Sequence, residues 1–293
     1  MSKLKFVKRK AFTIRFSGRS SDYITPSFGF GCLYKCSYCY MRRKTPMGLN
    51  IAVNTDEILH AIDSHAQLIN FTGECIKPNQ THRRDITYDI SCNEDFALHR
   101  KHHDWRKIFD FFKNHPHAMG TLATKCVPIE FLDYNPEGKI RIRFSLMPQK
   151  ISSILEPNTA KIIDRIKAIN AFIEAGYDVH VNFSPVVVYK EWKQDYTELF
   201  NMLNDYVEPL YKKNVKAEVI FLTHNELLHN YNVEKGIKGE DLLWQPKYQE
   251  VKTSQYGGKN LRYKVPLKRI AIDSFKKMYQ QHLSNFGEIR YIF

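Results

Sequence analysis

The feature that most constrains the fold is the alternation of short β-like segments with amphipathic helical segments. The patterns predict strands at 86–91, 119–125, 139–145, 178–184 and 217–223, and helices at 55–69, 104–114, 159–175 and 195–211. In 139–145 the alternation of Ile and Phe with Arg is typical of a strand. Strands that alternate with helices favour a parallel sheet with right-handed crossovers, so the pattern predicts an α/β barrel or a doubly wound sheet.

Local signals suggest where individual elements begin and end. Thr55 or Asp56 is the expected N-cap of the first long helix. The helix at 159–175 closes with Gly176, a residue suited to a helix C-terminus. Pro185 is expected to stop the strand at 178–184.

The two ends of the chain depart from this alternation. The basic run from Lys3 to Arg19 is predicted to be a strand or an arm over the domain. After about residue 245, Gly257-Gly258 lies between two β-like arms and predicts a hairpin over 248–265, followed by a helix at 268–282 and a strand at 289–293. We therefore predict a basic segment at 1–26, one barrel domain at 27–245 and a hairpin-and-helix tail at 246–293 that packs on the same domain.

Composition excludes several classes of protein. The chain has 293 residues, 43% of them apolar and 26% charged, which is typical of a folded protein and not of a disordered one. Its apolar runs fall short of the roughly 18 residues of a membrane span, and its start lacks the apolar core of a signal peptide, so a cytoplasmic protein without a membrane partner is expected. The net charge of +13 favours a polyanionic partner.

Three of the six cysteines, Cys32, Cys36 and Cys39, fall in a C-x3-C-x2-C pattern. Zinc sites need four ligands, which cysteines usually supply in two C-x2-C pairs, and no second pair exists here. Disulfides need an oxidising compartment and an even number of partners. Three thiolates on one loop instead suit a [4Fe–4S] cluster that leaves one iron open for a small molecule.

This cysteine segment, with Tyr38 immediately before Cys39, resembles the signature of radical S-adenosylmethionine (SAM) enzymes. The resemblance implies that SAM binds to the open iron and is cleaved to methionine and a 5′-deoxyadenosyl radical.

A longer resemblance, from about Gly29 to the C-terminus, is to the spore photoproduct lyase family. The segments that carry it, in family order, are Tyr38-Cys39-Tyr40, IAVNTDEIL at 51–59, Ser91-Cys92-Asn93-Glu94-Asp95, Thr124-Lys125, 141–145, 165–168, Ala175-Gly176-Tyr177, Pro185, Trp192 and Tyr196. The family fold implied is a partial (β/α)6 TIM-type barrel with a C-terminal β-hairpin extension, within the α/β class.

The resemblance also implies roles for individual residues. The residues implied to hold the cluster are Cys32, Cys36 and Cys39, and those implied to bind SAM are Lys125, Ser145 and Tyr38. The implied catalytic residues are Cys92, Tyr38 and Tyr40, and the implied substrate-binding residues are Tyr256, Lys259 and Tyr40. Cys92 would donate a hydrogen atom to the product radical, and the two tyrosines would relay the radical back toward SAM.

The implied reaction is repair of a thymine dimer in DNA, the spore photoproduct, to two thymines by a carbon–carbon lyase that receives electrons from a flavodoxin or ferredoxin. The chain departs from the family at Asn93-Glu94, where the family has Thr-Ser, and at Gln255, where it has Arg. The chain is also expected to lack the family's longer N-terminal region. Alternatives are a family relative that acts on another nucleic acid, nucleoside or peptide, and a non-catalytic iron–sulfur protein that binds nucleic acid.

Other polar motifs are predicted to be structural. Cys75 and Cys126 lack the context of Cys92. The histidines at 99, 102, 103, 115 and 117 are expected to form a solvated basic face. Thr72-Gly73-Glu74 is similar to a SAM-binding Gly-Glu element, but it precedes a predicted strand instead of ending one.

Overall fold

The structure, a computed structural model, describes residues 4–44, 48–73, 81–253 and 258–293. Its strands are β1 Leu4–Val7, β2 Arg15–Phe16, β3 Tyr23–Ile24, β4 Gly29–Phe30, β5 Leu49–Ala52, β6 Ile86–Asp89, β7 Ala118–Thr124, β8 Ile140–Ser145, β9 Asp178–Val186, β10 Lys216–Phe221, β11 Thr223–His224, β12 Gln249–Thr253, β13 Lys259–Tyr263 and β14 Ile289–Ile292. Its helices are α1 Met41–Lys44, α2 Thr55–Thr72, α3 Trp105–Asn114, α4 Gln149–Leu155, α5 Ile162–Glu174, α6 Trp192–Tyr206, α7 Pro209–Lys212, α8 Glu226–Glu234, α9 Glu240–Leu243 and α10 Val265–His282.

The strands of the described residues form three sheets. The largest has the order β14-β10-β9-β8-β7-β6-β3-β2, and the parallel pairs include β3 with β6, β6 with β7, β7 with β8, and β10 with β14. Two smaller sheets have the orders β1-β5-β4 and β11-β13-β12. The predicted alternation of strands and helices around a parallel sheet is confirmed.

The chain divides into two compact units. Unit 1 comprises Met1–Leu33, Lys44–Phe144 and Ala168–His180, and unit 2 comprises Tyr34–Arg43, Ser145–Lys167 and Val181–Phe293. The domain limits predicted from the sequence stay a prediction.

In unit 1, α3 covers the parallel strands with an aromatic face. The Asp104 side chain accepts a hydrogen bond from the Lys107 backbone N–H and so caps the helix. Phe109 and Phe112 are fully buried, and burying each ring contributes about 1.5–3 kcal/mol. Both faces of β8 are covered, since Arg141 and Arg143 are as buried as the apolar residues between which they stand.

In unit 2, α6 and α10 pack together through aromatic rings. Phe200 and Phe275 meet edge to face with ring centroids 5.4 Å apart, and Phe183 of β9 lies 5.5 Å from each. Each edge-to-face pair of this kind adds about 0.5–1.5 kcal/mol of stability beyond what the burial of its apolar surface contributes. This aromatic cluster is the core of unit 2.

Three local expectations are wrong. The N-cap of α2 is Asn54, whose side chain bonds to the Arg9 backbone in place of the helix N-terminus. β9 continues through Pro185 to Val186, because the Val186 carbonyl accepts a hydrogen bond from the Leu222 N–H and prolongs the pairing. The helix expected at 195–211 is two helices, since Pro209 begins α7 after α6 has ended.

Among the described residues, none of the helices has the length and apolar character needed to cross a membrane.

Candidate functional site

The chain between β4 and Cys32 passes unusually close to its neighbours. Gly31, one residue before Cys32, has φ +115°, and a Cβ there would lie 2.8 Å from the Gly48 carbonyl oxygen. Its N–H donates a hydrogen bond to the Asn93 carbonyl at 3.0 Å. Only glycine fits this backbone, and the bond joins the approach to Cys32 to the loop that carries Cys92.

Asp95 holds the Cys92 loop against the end of β7. Its buried carboxylate accepts hydrogen bonds from the Thr124 hydroxyl at 2.8 Å and from the Lys125 backbone N–H at 2.9 Å. The segment Ser91–Asp95 therefore has a physical reason to place an aspartate three residues after Cys92, because Asp95 fixes the position of the loop relative to Thr124-Lys125.

A second carboxylate, Asp89, ends β6 immediately before this loop. It accepts an ion-paired hydrogen bond from Arg143 at 2.9 Å and two hydrogen bonds from Ser91, through its backbone N–H at 2.8 Å and its hydroxyl at 3.0 Å. Arg143 also donates to the Thr121 hydroxyl of β7 at 3.0 Å. Side chains of three neighbouring strands, Asp89, Thr121 and Arg143, are thus linked by hydrogen bonds, and Asp89 in turn holds Ser91, which directly precedes Cys92.

The Cys92 sulfur is held as a thiol. Burial and the neighbouring Asp89 carboxylate raise the pKa of Cys92 to about 11, although Arg15, which donates a hydrogen bond to Sγ at 3.3 Å, opposes the shift. A thiol that keeps its proton is a poor nucleophile, but it still carries an S–H hydrogen that a carbon radical can take. The electrostatics of this position suit a hydrogen-atom donor.

We expect alkylation of Cys92 by iodoacetamide to accelerate about tenfold per pH unit between pH 8 and 10, without a plateau, because the thiolate fraction follows the raised pKa. Mass spectrometry of the Cys92 peptide measures the rate, and urea-unfolded protein is the control that titrates near pH 8.5. A plateau near pH 9 in the folded protein would contradict the raised pKa.

Glu94, one of the two departures from the family beside Cys92, lies inside unit 1. Its Oε2 lies 3.0 Å from His99 Nδ1 and 2.9 Å from His103 Nε2, and all three side chains are at most 2% exposed. A Cβ on Gly29 would lie 2.3 Å from the same oxygen. Burial raises the pKa of Glu94, but the charges and hydrogen bonds of the two histidines outweigh it and lower the pKa overall.

The expectation of a solvated basic face is wrong for three of the five histidines. The side chains of His99 and His103 are buried against Glu94, and the side chain of His115 lies 3.2 Å from Asp63. His102 is exposed and His117 is half-buried. The spacing of the histidines did not reveal these carboxylate partners, because the fold brings Glu94 and Asp63 into contact with them.

The cysteine loop of unit 2 is anchored at its centre. Ser37, between Cys36 and Cys39, donates its N–H to the Leu155 carbonyl at 2.8 Å and its hydroxyl to the Lys238 carbonyl at 3.1 Å. The Cys39 N–H donates to the Cys36 carbonyl at 3.1 Å, which closes a tight turn. Cys32, Cys36 and Cys39 all carry thiols, a donor set that fits an iron–sulfur cluster.

Tyr38 and Ser145 meet at one buried ion pair. The Tyr38 hydroxyl donates a hydrogen bond to Glu156, which pairs with Arg165 at 3.0 Å, and Arg165 also donates to the Ser145 carbonyl at 2.7 Å. Burial and the Glu156 carboxylate raise the pKa of Tyr38 well above its ordinary value. The phenol is neutral at physiological pH and keeps its O–H hydrogen, whereas Tyr40 is 46% exposed.

The predicted hairpin is confirmed as β12 paired antiparallel with β13. Its base is buried: the Tyr263 hydroxyl accepts from the Val188 N–H at 2.8 Å, and the Gln249 side chain donates to the Leu243 carbonyl at 2.8 Å. Toward the other end Val251 and Lys259 are exposed. Tyr256 and Gln255 lie outside the described residues.

Within each unit, the structure brings predicted site residues together. Cys92 and Lys125 are joined through Asp95 in unit 1, and Tyr38 and Ser145 through Glu156 and Arg165 in unit 2. Sequence reasoning missed the bracing residues Arg15, Asp89, Arg143 and Glu156. A charged residue in a strand or next to a helix carries no spacing signal of its own, so the sequence patterns placed Arg143 on a strand and Arg165 on a helix without indicating their partners.

A sequence profile of the spore photoproduct lyase family matches residues 2–292. The chain belongs to the spore photoproduct lyase family. Spore photoproduct lyase of Bacillus subtilis (strain 168) is 25% identical over 218 residues, which cover 72% of this chain and 59% of that protein. The enzyme of Clostridium acetobutylicum is 27% identical over 207 residues, which cover 69% of this chain and 56% of that protein. The matched region is thus less than two thirds of these relatives' length.

Solved structures of family members show the same fold. Spore photoproduct lyase complexed with dinucleoside spore photoproduct superposes with a TM-score of 0.86 and 20% identity, covering 99% of this chain and 82% of that chain. A variant with bound AdoMet and the same dinucleoside superposes with a TM-score of 0.86 and 19% identity over the same shares of the two chains. The predicted fold class, a partial (β/α)6 TIM-type barrel with a C-terminal β-hairpin, is confirmed.

Proposed function

We propose that this chain is a radical SAM carbon–carbon lyase that reverses the spore photoproduct, a thymine dimer of DNA, to two thymines. The observation that carries the proposal is Cys92, a thiol with a pKa of about 11 on a loop that Asp89 and Asp95 hold in place. Family membership and the solved complexes of its members with dinucleoside spore photoproduct support the choice of substrate.

Cys32, Cys36 and Cys39 are the residues that would hold a [4Fe–4S] cluster, with SAM on its open iron. When bound, these groups supply an electron that cleaves SAM and a radical that takes a hydrogen atom from the lesion. Lys125 and Ser145, each at the carboxyl end of a strand, and Tyr38 are proposed to contact SAM. That end of the strands is where ligands bind in barrels of this type.

Cys92 completes the repair by hydrogen-atom transfer. Its S–H bond breaks, a C–H bond forms on the thymine methyl radical, and a thiyl radical remains on the sulfur. Tyr38 and Tyr40 would then return a hydrogen atom to that sulfur and carry the radical toward SAM. The raised pKa of Tyr38 supports this role, because a neutral phenol retains the hydrogen that it must give.

The exposed end of the β12–β13 hairpin is proposed to bind the DNA backbone at the lesion. Lys259 would contact phosphate, and Tyr256 and Tyr40 would stack on bases, a combination of cation and aromatic ring suited to extruded nucleotides. The net charge of +13 supports a nucleic-acid partner. A flavodoxin or ferredoxin would supply the electron, in a reducing compartment such as the cytoplasm.

Protein reconstituted anaerobically and incubated with dithionite, SAM and dinucleotide spore photoproduct is expected to release thymine dinucleotide. The Cys92→Ala variant is expected to cleave SAM but to yield side products in place of clean repair. It lacks the S–H hydrogen that would quench the thymine methyl radical. Liquid chromatography with mass spectrometry measures both products.

The matched control is Cys126→Ala, which removes a thiol outside the proposed mechanism. It should repair as well as the unmodified protein. SAM cleavage with an untouched lesion would overturn the substrate assignment in favour of another family substrate. Clean repair by Cys92→Ala would remove Cys92 from the mechanism.

A further inference from the structure

Outside the residues of the proposed reaction, three side chains of unit 2 converge on one point. His224 Nε2 lies 2.9 Å and His229 Nδ1 lies 2.6 Å from the same oxygen, Oε1 of Glu240. One potential ligand atom from each of the three residues lies within 4.8 Å of the other two. His224 is fully buried, while His229 and Glu240 are 22% and 12% exposed at their side chains. Two imidazole nitrogens and a carboxylate oxygen thus meet in a largely enclosed position.

The cluster is held in place by its surroundings. Asn232 donates a hydrogen bond to the second carboxylate oxygen of Glu240 at 2.6 Å. The His229 ring stacks on Trp244 with centroids 4.0 Å apart, and the His224 ring meets the same indole edge to face at 6.0 Å. Nδ1 of His224 is buried without a hydrogen-bond partner among the described residues, so Nε2 makes the polar contact that holds this ring. All three donors are positioned before any ligand arrives.

The donor atoms of the cluster suit a cation. Two imidazoles and a carboxylate are a donor set that favours zinc and similar transition metals over magnesium or calcium.

We propose that His224, His229 and Glu240 form a binding site for a divalent transition metal of the zinc type, separate from the cysteines that would hold the iron–sulfur cluster. Tetrahedral zinc with bonds of about 2.0–2.1 Å places its ligand atoms about 3.3 Å apart. The Glu240 oxygen would move away from the two nitrogens by about half an ångström, within the adjustment of one side-chain torsion. The fourth position belongs to water on the partly exposed His229 side.

The site is connected to the cysteine loop through Asn232. The same side-chain amide that bonds to Glu240 donates to the Ser37 carbonyl at 2.9 Å, between Cys36 and Cys39 in the chain. Outer-sphere partners of this kind orient metal-bound carboxylates. A metal on Glu240 would therefore stiffen the contact that anchors Ser37, which assigns the site a structural role in bracing the loop.

Reconstituted protein is exposed to excess Zn²⁺ and passed through a desalting column. Zinc and iron in the same sample are then quantified by elemental mass spectrometry. We expect about one zinc per chain beside an unchanged iron content, because three protein ligands and one water complete a single four-coordinate zinc site. His229→Ala and Glu240→Gln should each bind zinc at least tenfold more weakly, and their melting temperatures should not rise on addition of zinc, unlike that of the unmodified protein.

His282→Ala, which removes another partly exposed imidazole of unit 2, is the matched control and should retain the zinc. Zinc that the cysteines capture would be accompanied by loss of iron and would persist in His229→Ala, and this outcome overturns the proposal. Zinc binding that is equal in the unmodified protein and in both ligand variants overturns it as well. The measurement does not depend on repair activity, so failure of the proposed reaction leaves it interpretable.

Discussion

Cys36→Ala is expected to lose the iron–sulfur cluster, so that iron falls from about four atoms per chain to background and SAM cleavage falls with it. Cys36 is a buried thiol in a loop whose central residue, Ser37, is anchored by the Leu155 and Lys238 carbonyls. The alanine leaves this backbone anchoring intact while it removes one of three proposed ligands. Iron analysis and the visible absorption of the reconstituted protein measure the loss.

Cys126→Ala is the matched control for this substitution. Cys126 is a half-buried thiol whose sulfur lies 3.8 Å from an Arg100 nitrogen, and no cluster role is assigned to it. This variant should keep its full iron content and its SAM cleavage. Iron retained by Cys36→Ala, or zinc found in its place at full occupancy in the unmodified protein, would contradict the cluster assignment.

Arg165→Met is expected to lower the free energy of unfolding by about 3–5 kcal/mol, because it leaves the buried Glu156 carboxylate without its counter-charge. Both side chains of this ion pair are at most 1% exposed. Arg165 also bonds to the Ser145 carbonyl and to the Thr159 hydroxyl at 2.6 Å, and these acceptors lose their donor as well. The urea midpoint of the variant measures the loss.

Two further variants separate loss of the charge pair from loss of packing. Arg165→Met with Glu156→Gln should be more stable than Arg165→Met alone, since the buried charge is then gone and the amide oxygen still accepts from Tyr38. Lys161→Met changes an exposed cation just before α5 and should shift stability by no more than about 0.5 kcal/mol. Equal stability of Arg165→Met and Lys161→Met would show that the ion pair contributes nothing.

Much of the fold was predictable because strands and helices here obey local rules. The strand at 139–145 and the helix at 104–114 lie within a residue of their predicted positions, since periodicity and an N-cap at Asp104 determine them. The segments 149–155, 226–234 and 240–243 were not predicted as helices. They are short, and α9 begins at Glu240 after Gly239, where the local pattern is weak.

The candidate site divides in the same way. Cys32, Cys36, Cys39 and the Cys-x-x-Asp segment are recognisable because their chemistry requires fixed spacing in the chain. Hydrogen-bond partners of Cys92 and Tyr38 come from distant segments: Arg15 is 77 residues from Cys92, and Glu156 is 118 residues from Tyr38. No pattern in the sequence pairs residues so far apart.

The sequence by itself therefore determined the class of fold and identified the proposed cluster cysteines and the proposed hydrogen donor. Only the tertiary structure decided that Glu94 and its two histidines lie inside unit 1, that Arg165 ties Tyr38 to Ser145, and that His224, His229 and Glu240 converge. The physical reason is that spacing along the chain governs local structure, whereas burial and the pairing of charges depend on which segments the fold brings together.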